Sequence, residues 1–168
     1  YFYNDGYDAG DGGMGYYDEA LKRGWRTGAS GSGDDHYATW GTAQNSRMAV
    51  LAKEKTRDEI LAAIRAGRFY STLDRNLSMS FKINGAEMGS TAAAGTCTME
   101  ILLDDGSRDD TFTVVELLKE GIVTRSWSPG ERQVRITEGM TVTEGEYYYI
   151  VIRQADGDEA VSSPVWIE

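Results

Sequence analysis

Residues able to do chemistry concentrate at Gly31-Ser32-Gly33-Asp34-Asp35-His36. The glycines permit a sharp loop, and Asp-x-His sets a carboxylate and an imidazole two residues apart. In an extended segment residues i and i+2 point to the same side, so Asp34 and His36 can face one metal centre. Asp35 then points away, or orients the histidine from behind. Tyr37, Trp40 and Arg47 are candidate pocket neighbours, with packing or surface roles as the plainer alternative. For the motif as a whole, the plainer alternative is a turn carrying a surface histidine. His36 is the only histidine and Cys97 the only cysteine. Those counts exclude sites that need two imidazoles from this chain, multi-thiolate zinc sites and internal disulfides. A Ser/His/Asp triad or a Cys97–His36 dyad has its residue types here but no nucleophile motif.

A second acidic stretch, Asn4-Asp5-Gly6-Tyr7-Asp8-Ala9-Gly10-Asp11-Gly12-Gly13, invites a calcium reading. An EF-type loop needs oxygen ligands at positions 1, 3 and 5, Gly at 6 and Glu at 12. Asp5, Asp8 and Asp11 recur every third residue instead, with no Glu at the required distance, so a solvated Gly/Asp loop is the better reading. Asp74-Arg75-Asn76 reads as a loop cap at a join between two unlike halves.

Charge marks that join. The 168 residues carry a formal net charge of −10, with 40% hydrophobic and 26% charged residues. Residues 1–77 are nearly neutral, whereas residues 78–168 hold most of the negative charge. That balance argues against a nucleic-acid or anionic-membrane surface. No apolar run approaches the ~20 residues of a membrane helix, so no membrane span is expected. The chain begins at Tyr1 without a visible leader, which reads as a piece of something longer.

The elements that must position these residues differ between the halves. Tyr16–Arg23 reads as a short helix, acidic early and basic late, with Gly24 as its stop. Ser46–Ala52 is an apolar run compatible with a buried strand. Thr56-x-x-Glu59 is a capping box, followed by Ile60, Leu61 and Ile64 on one face and Gly67 at the end. Arg68–Thr72 reads as a strand. The second half is strand after strand: around Met79–Ile83, Thr98–Leu103, Thr111–Leu118, Ile122–Trp127, Arg132–Thr137, Glu146–Arg153 and Ala160–Ile167. Seven short strands with turn signals between them predict an antiparallel immunoglobulin-like sandwich. Its expected inward residues are Phe81, Ile83, Ile101, Val114, Val134, Ile136, Tyr148, Ile150, Ile152 and Trp166.

The Gly31–His36 motif, following Ala20-Leu21-Lys22-Arg23-Gly24-Trp25-Arg26, resembles the last metal motif of the PHP-domain (polymerase and histidinol phosphatase) phosphoesterases, carbaryl-hydrolase-like branch. The likeness continues through Thr56–Thr72, Phe81–Gly89 and Ser162–Ile167. It implies an α+β fragment, the end of a PHP β/α barrel, over residues 1–76, followed by an all-β immunoglobulin-like antiparallel sandwich over residues 77–168. It also implies that Asp34 and His36 are metal ligands, with Gly33 standing where a serine commonly precedes the aspartate. The family's other ligands have no counterpart here. The expected function is therefore the C-terminal portion of a metal-dependent phosphoesterase or ester hydrolase, inactive as this fragment.

In the intact parent, divalent ions (zinc, manganese or iron) would activate water against a phosphoester or other ester substrate. The missing upstream barrel segment, or another copy of the chain, would complete the site. The alternative from a different class is a non-catalytic sandwich that binds a glycan or a protein, with Tyr147, Tyr148 and Tyr149 as strand aromatics that cannot all be buried on one face. Cytoplasmic and secreted bacterial locations both remain compatible with the composition.

Overall fold

The computed structural model of the chain describes residues 15–33, 35–42, 45–106 and 110–168. Helix α1 (Gly15–Lys22) has Asp18 in its first turn and Lys22 in its last, matching the helix dipole. Its i, i+4 pair Tyr17 and Leu21 is buried. Strand β1 (Arg47–Val50) precedes α2 (Arg57–Arg65), where the Thr56 hydroxyl accepts the Glu59 N–H at 3.3 Å, as the capping box predicts. Strand β2 (Phe69–Thr72) follows, buried along its whole length.

Then come β3 (Leu77–Ile83), β4 (Ala86–Glu87), β5 (Thr91–Ala92), β6 (Gly95–Asp105), β7 (Phe112–Lys119) and β8 (Ile122–Trp127). The last four are β9 (Gln133–Val142), β10 (Tyr147–Gln154), β11 (Glu159–Ser162) and β12 (Val165–Ile167). The expected final strand is thus two. Pro164, which cannot donate to a ladder, stands at the break.

Two sheets face each other. The smaller runs β4-β3-β6-β9; the larger holds eight strands, with β1-β2-β11 leading to β10, and β7 then β8 beyond it. β7 pairs along the length of β10, so β11 and β12 share its other edge. Every pair is antiparallel except β12 with β5. Phe81, Ile83, Met99 and Ile101 of the smaller sheet meet Phe112, Leu117, Ile150 and Ile152 of the larger in one apolar core.

The barrel expectation fails at β1 and β2. A β/α barrel is built from parallel strands joined through helices, but β1 and β2 flank α2 and pair antiparallel, Val50 opposite Phe69. β2 then pairs with β11, Thr72 opposite Ala160. The first half is therefore not the end of a PHP barrel. Its strands extend the larger sheet of the sandwich across the join expected at 76/77.

The larger sheet is covered on its outer face as well. Tyr147, Tyr149, Val151 and Val161 pack there under Tyr17 and Leu21 of α1 and under Ala29. Tyr17 and Tyr149 meet edge to face at 5.7 Å, and the Tyr149 hydroxyl donates to the Asp18 carboxylate. The Tyr17 hydroxyl donates to the Ser162 carbonyl at 3.3 Å. Tyr148 points into the inter-sheet core instead, so all three tyrosines are buried, on two faces.

Two of the residues expected to face inward do not. Val114 is only half-buried while Val115 and Leu117 fill the core. The register between β7 and β10 shifts between Arg153 and Gln154, and a bulge of this kind inverts the alternation of faces. Trp166 lies on the outer face, with the Arg26 guanidinium 5.6 Å above its ring.

At the β9–β10 turn, Glu146 gathers Lys119 Nζ at 2.5 Å, the Tyr148 hydroxyl at 2.6 Å and the Thr143 N–H at 2.8 Å. Burial works to raise its pKa, but those hydrogen bonds and the Lys119 charge hold it down at about 2. A depressed carboxylate stabilises the fold above its unfolded-state pKa, and the contribution is lost as pH falls towards the folded value. Glu146→Gln is accordingly expected to cost about 1–2 kcal/mol at neutral pH, since solvent screens this partly exposed group and reduces what the full shift would give. The difference between the two proteins should shrink between pH 4.5 and about 2. Urea unfolding across that window checks this, and an unchanged difference would refute it.

Candidate functional site

Asp34 lies outside the described residues, so the Asp34–His36 pairing expected from the sequence is not placed by the structure. Gly31, just before it, lies against β1 and β2. A Cβ there would sit 2.6 Å from both the Arg47 carbonyl oxygen and Ser71 Oγ. From that anchor the chain leaves the sheet as an exposed turn. Asp35 Oδ1 accepts the Tyr37 N–H at 2.7 Å and its Oδ2 accepts the Thr39 hydroxyl at 2.6 Å. The Thr39 hydroxyl, and then the Tyr37 N–H, hold the Asp35 carboxyl below its ordinary value.

Asp35 is thus committed to fixing the turn. Thr42 closes it with hydrogen bonds to the Thr39 carbonyl from its N–H and its hydroxyl, and Ala38 and Gly41 adopt positive φ. His36 is exposed. Tyr37 and Trp40 are 88% and 75% exposed, so neither lines a pocket. Arg47 does not join them: it begins β1 opposite Thr72, and its charge acts on Asp158.

Asp158 belongs to a second constellation, at the end of the sandwich where β2, β6 and β10 finish and β3, β7 and β11 begin. A pocket there is lined by Asn45, Asp74, Arg75, Asn76, Asp105, Asp110, Asp156 and Asp158. Asp74, Asp105, Asp110 and Gln154 are buried. Each carboxylate has one oxygen held locally. Asp74 Oδ1 accepts the Asn76 N–H at 2.9 Å, and Asp105 Oδ1 accepts Asn76 Nδ2 at 2.8 Å. Asp110 Oδ1 accepts the N–H groups of Thr111 and Ala155 at 2.8 and 3.1 Å. The other three oxygens converge on Gln154 Nε2, at 3.3, 2.5 and 3.1 Å respectively.

Along the chain these aspartates stand far apart, in the segments Asp74-Arg75-Asn76, Asp104-Asp105-Gly106 and Ala155-Asp156-Gly157-Asp158. Only the strand order brings them together. Leu77 pairs with Asp105 and Phe112 with Gln154. A glutamine closing the largely apolar strand Tyr147–Gln154 was the one local signal available.

Among the described residues, no group of three or more His, Cys, Asp or Glu side chains could hold a metal ion as it stands. Among them, too, no helix is long and apolar enough to cross a membrane.

No protein-family model matches the chain. Together with the antiparallel β1–β2 pair, this overturns the expectation of a PHP-domain hydrolase and the clustered-metal chemistry attached to it. The chain is 23% identical over 137 residues to an uncharacterized protein of Chlamydia pneumoniae, and equally to one of Chlamydia muridarum (strain MoPn / Nigg). Each alignment covers 71% of this chain and 22% of the relative, so the chain spans about a fifth of the length of these relatives. Among solved structures, the sulfur carrier protein SoxY from Chlorobium limicola f thiosulfatophilum overlaps at 11% identity and a TM-score of 0.38. That overlap covers 56% of this chain and 81% of SoxY. The CARDB domain of a Pyrococcus furiosus protein overlaps at 11% identity and a TM-score of 0.39, over 55% of this chain and 94% of that domain. At these scores neither likeness bears on what this chain does.

Proposed function

We propose that the chain is a non-catalytic β-sandwich module of a longer protein, and that it binds another protein through the turn from Asp35 to Thr42. The observation that carries this reading is a turn tied by the Asp35 carboxylate that leaves Tyr37 and Trp40 exposed. Large aromatics at the tip of a fixed turn suit an interface. Tyr and Trp are enriched among the residues that dominate binding energy, and a turn already ordered loses less entropy on association. The sandwich contributes rigidity, since β10 is buried on both faces and α1 closes the outer one.

The test begins with a photo-crosslinking amino acid at Tyr37 or Trp40 in the longer protein, and identification of the chain it captures. Affinity is then measured with that purified partner. Trp40→Ala and Tyr37→Ala are each expected to weaken binding at least tenfold. Asp35→Ala, which frees the turn but keeps both rings, is expected to weaken it less. Equal affinity in all three variants would refute the assignment of the surface. Sugar binding lost in the same variants would make the partner a glycan, and ester hydrolysis by the purified chain would refute the non-catalytic reading.

A further inference from the structure

An Asn or Asp followed by Gly is the step at which a chain can attack itself. The glycine nitrogen reaches the side-chain carbonyl one residue earlier, because no Cβ stands in the way. The described residues hold three such steps, Asn84-Gly85, Asp105-Gly106 and Asp156-Gly157. In two of them both reacting groups are occupied. The Asp105 carboxylate accepts Asn76 Nδ2 at 2.8 Å and Gln154 Nε2 at 2.5 Å, and the Gly106 N–H donates to the Asn76 carbonyl at 3.4 Å. Asp156 Oδ1 accepts the Asp158 N–H at 2.9 Å, and the Gly157 N–H donates to the Gln154 carbonyl at 3.2 Å.

Asn84-Gly85 differs at both atoms. It is the two-residue turn between β3 and β4, with φ of 51° and 79°, the left-handed pair that such hairpins require. Asn84 is held through its backbone, its N–H donating to the Thr98 carbonyl at 2.8 Å. Both residues are exposed, and neither the Asn84 side chain nor the Gly85 N–H bonds to any of the described residues. A Cβ at Gly85 would meet nothing within 4 Å, so water and base reach the turn freely.

We propose that Asn84 is a site of spontaneous modification, converting to isoaspartate and aspartate through a cyclic imide. The Gly85 nitrogen gives its proton to base and bonds to Asn84 Cγ, and the side-chain nitrogen leaves as ammonia. Water then opens the ring. Opening at the former backbone carbonyl leaves the chain running through Cγ, which is isoaspartate; opening at Cγ leaves aspartate. No oxidation state changes, and water is the co-reactant.

Ring closure requires Asn84 to leave its left-handed conformation, and the surrounding ladder resists this weakly. β4 has two residues, at the edge of the smaller sheet, paired as Lys82 with Glu87 and Ile83 with Ala86. Opening so short an edge belongs to the low-cost end of local unfolding. Isoaspartate adds a carbon to a turn whose length fixes the register of the hairpin. It therefore loosens the Lys82–Glu87 ion pair, which closes at 2.7 Å across the two strands.

The test incubates the purified 168-residue chain at neutral and mildly alkaline pH. Samples digested over time are read by peptide mass and by labelling with an isoaspartyl methyltransferase. The expected result is progressive conversion at Asn84, faster in the alkaline buffer, with no isoaspartate at Asp105 or Asp156. The converted protein should melt a few degrees below the fresh one. Asn84→Gln, which would need a six-membered ring, should lose the reaction. An Asn84 peptide that keeps its mass in the folded chain, over a time in which it converts in urea, would overturn the proposal, because the turn would then protect the site. Isoaspartate appearing as fast at Asp156 in the folded chain would also overturn it, since free reacting groups would not be what selects the site.

Discussion

A chain that starts at Leu77 is expected not to fold cooperatively, although it contains the whole strand-rich half. Removing residues 1–76 strips β2 from β11, where Thr72, Ser71 and Tyr70 pair with Ala160, Val161 and Ser162. It also removes the Tyr70 hydroxyl from the Leu77 carbonyl and the Phe69 carbonyl from the Ser163 hydroxyl. The larger loss is on the outer face. Without α1 and Ala29, the residues Tyr147, Tyr149, Val151 and Val161 lose the cover of Tyr17 and Leu21.

Uncovering a large apolar side chain costs about 1.5–3 kcal/mol, and several are uncovered together. The total therefore approaches the ~5–15 kcal/mol by which whole domains are stable. Urea unfolding followed by circular dichroism, with dye binding to exposed apolar surface, checks the expectation. A sharp transition in the short chain within ~2 kcal/mol of the full one would establish residues 77–168 as an independent domain.

What the sequence made legible was local. The capping box at Thr56 and Glu59 announced α2 because both partners lie within one helical turn. The Met79–Ile83 alternation announced β3 because its period is set by backbone geometry alone. Everything that depended on which strand lies beside which was not legible. Tyr147, Tyr148 and Tyr149 could be seen not to share one buried face, but nothing in their own segment reveals that α1, far earlier in the chain, covers Tyr147 and Tyr149. Val114 was expected inside because a strict alternation along the strand takes no account of the bulge opposite Gln154.

The barrel reading erred for the same reason. Ser46–Ala52, Thr56–Ala66 and Arg68–Thr72 do form strand, helix and strand, but the sense of pairing, antiparallel here, is not written in any of the three segments. The site followed this rule as well. Asp35, expected to point away from His36 or to orient it, instead ties the turn through Tyr37 and Thr39, and Asp74, Asp105, Asp110 and Gln154 come together only through the strand order.

Gln154→Leu is expected to be the most damaging single substitution at the acidic end at neutral pH. Leucine approximates the size of glutamine and closes β10 equally well, so packing changes little. It removes the donor shared by three buried carboxylates, each of which keeps its other hydrogen bonds. Losing a hydrogen bond to a buried charged group costs about 1.5–3 kcal/mol, more than the ~1 kcal/mol of an ordinary one, and three carboxylates share this donor. The assignment of that cost to charge, rather than to lost shape, is testable by a second change. Asp105→Asn in the Gln154→Leu background removes one of the opposed carboxylates and keeps the volume. It should recover part of the stability, whereas Asp105→Asn alone, with Gln154 present, should not stabilise the protein. A favourable coupling on the order of 1 kcal/mol between the two changes is the expected result. Additive losses would mean that the cluster is held by packing and that the convergence of carboxylates on Gln154 Nε2 contributes no electrostatic strain.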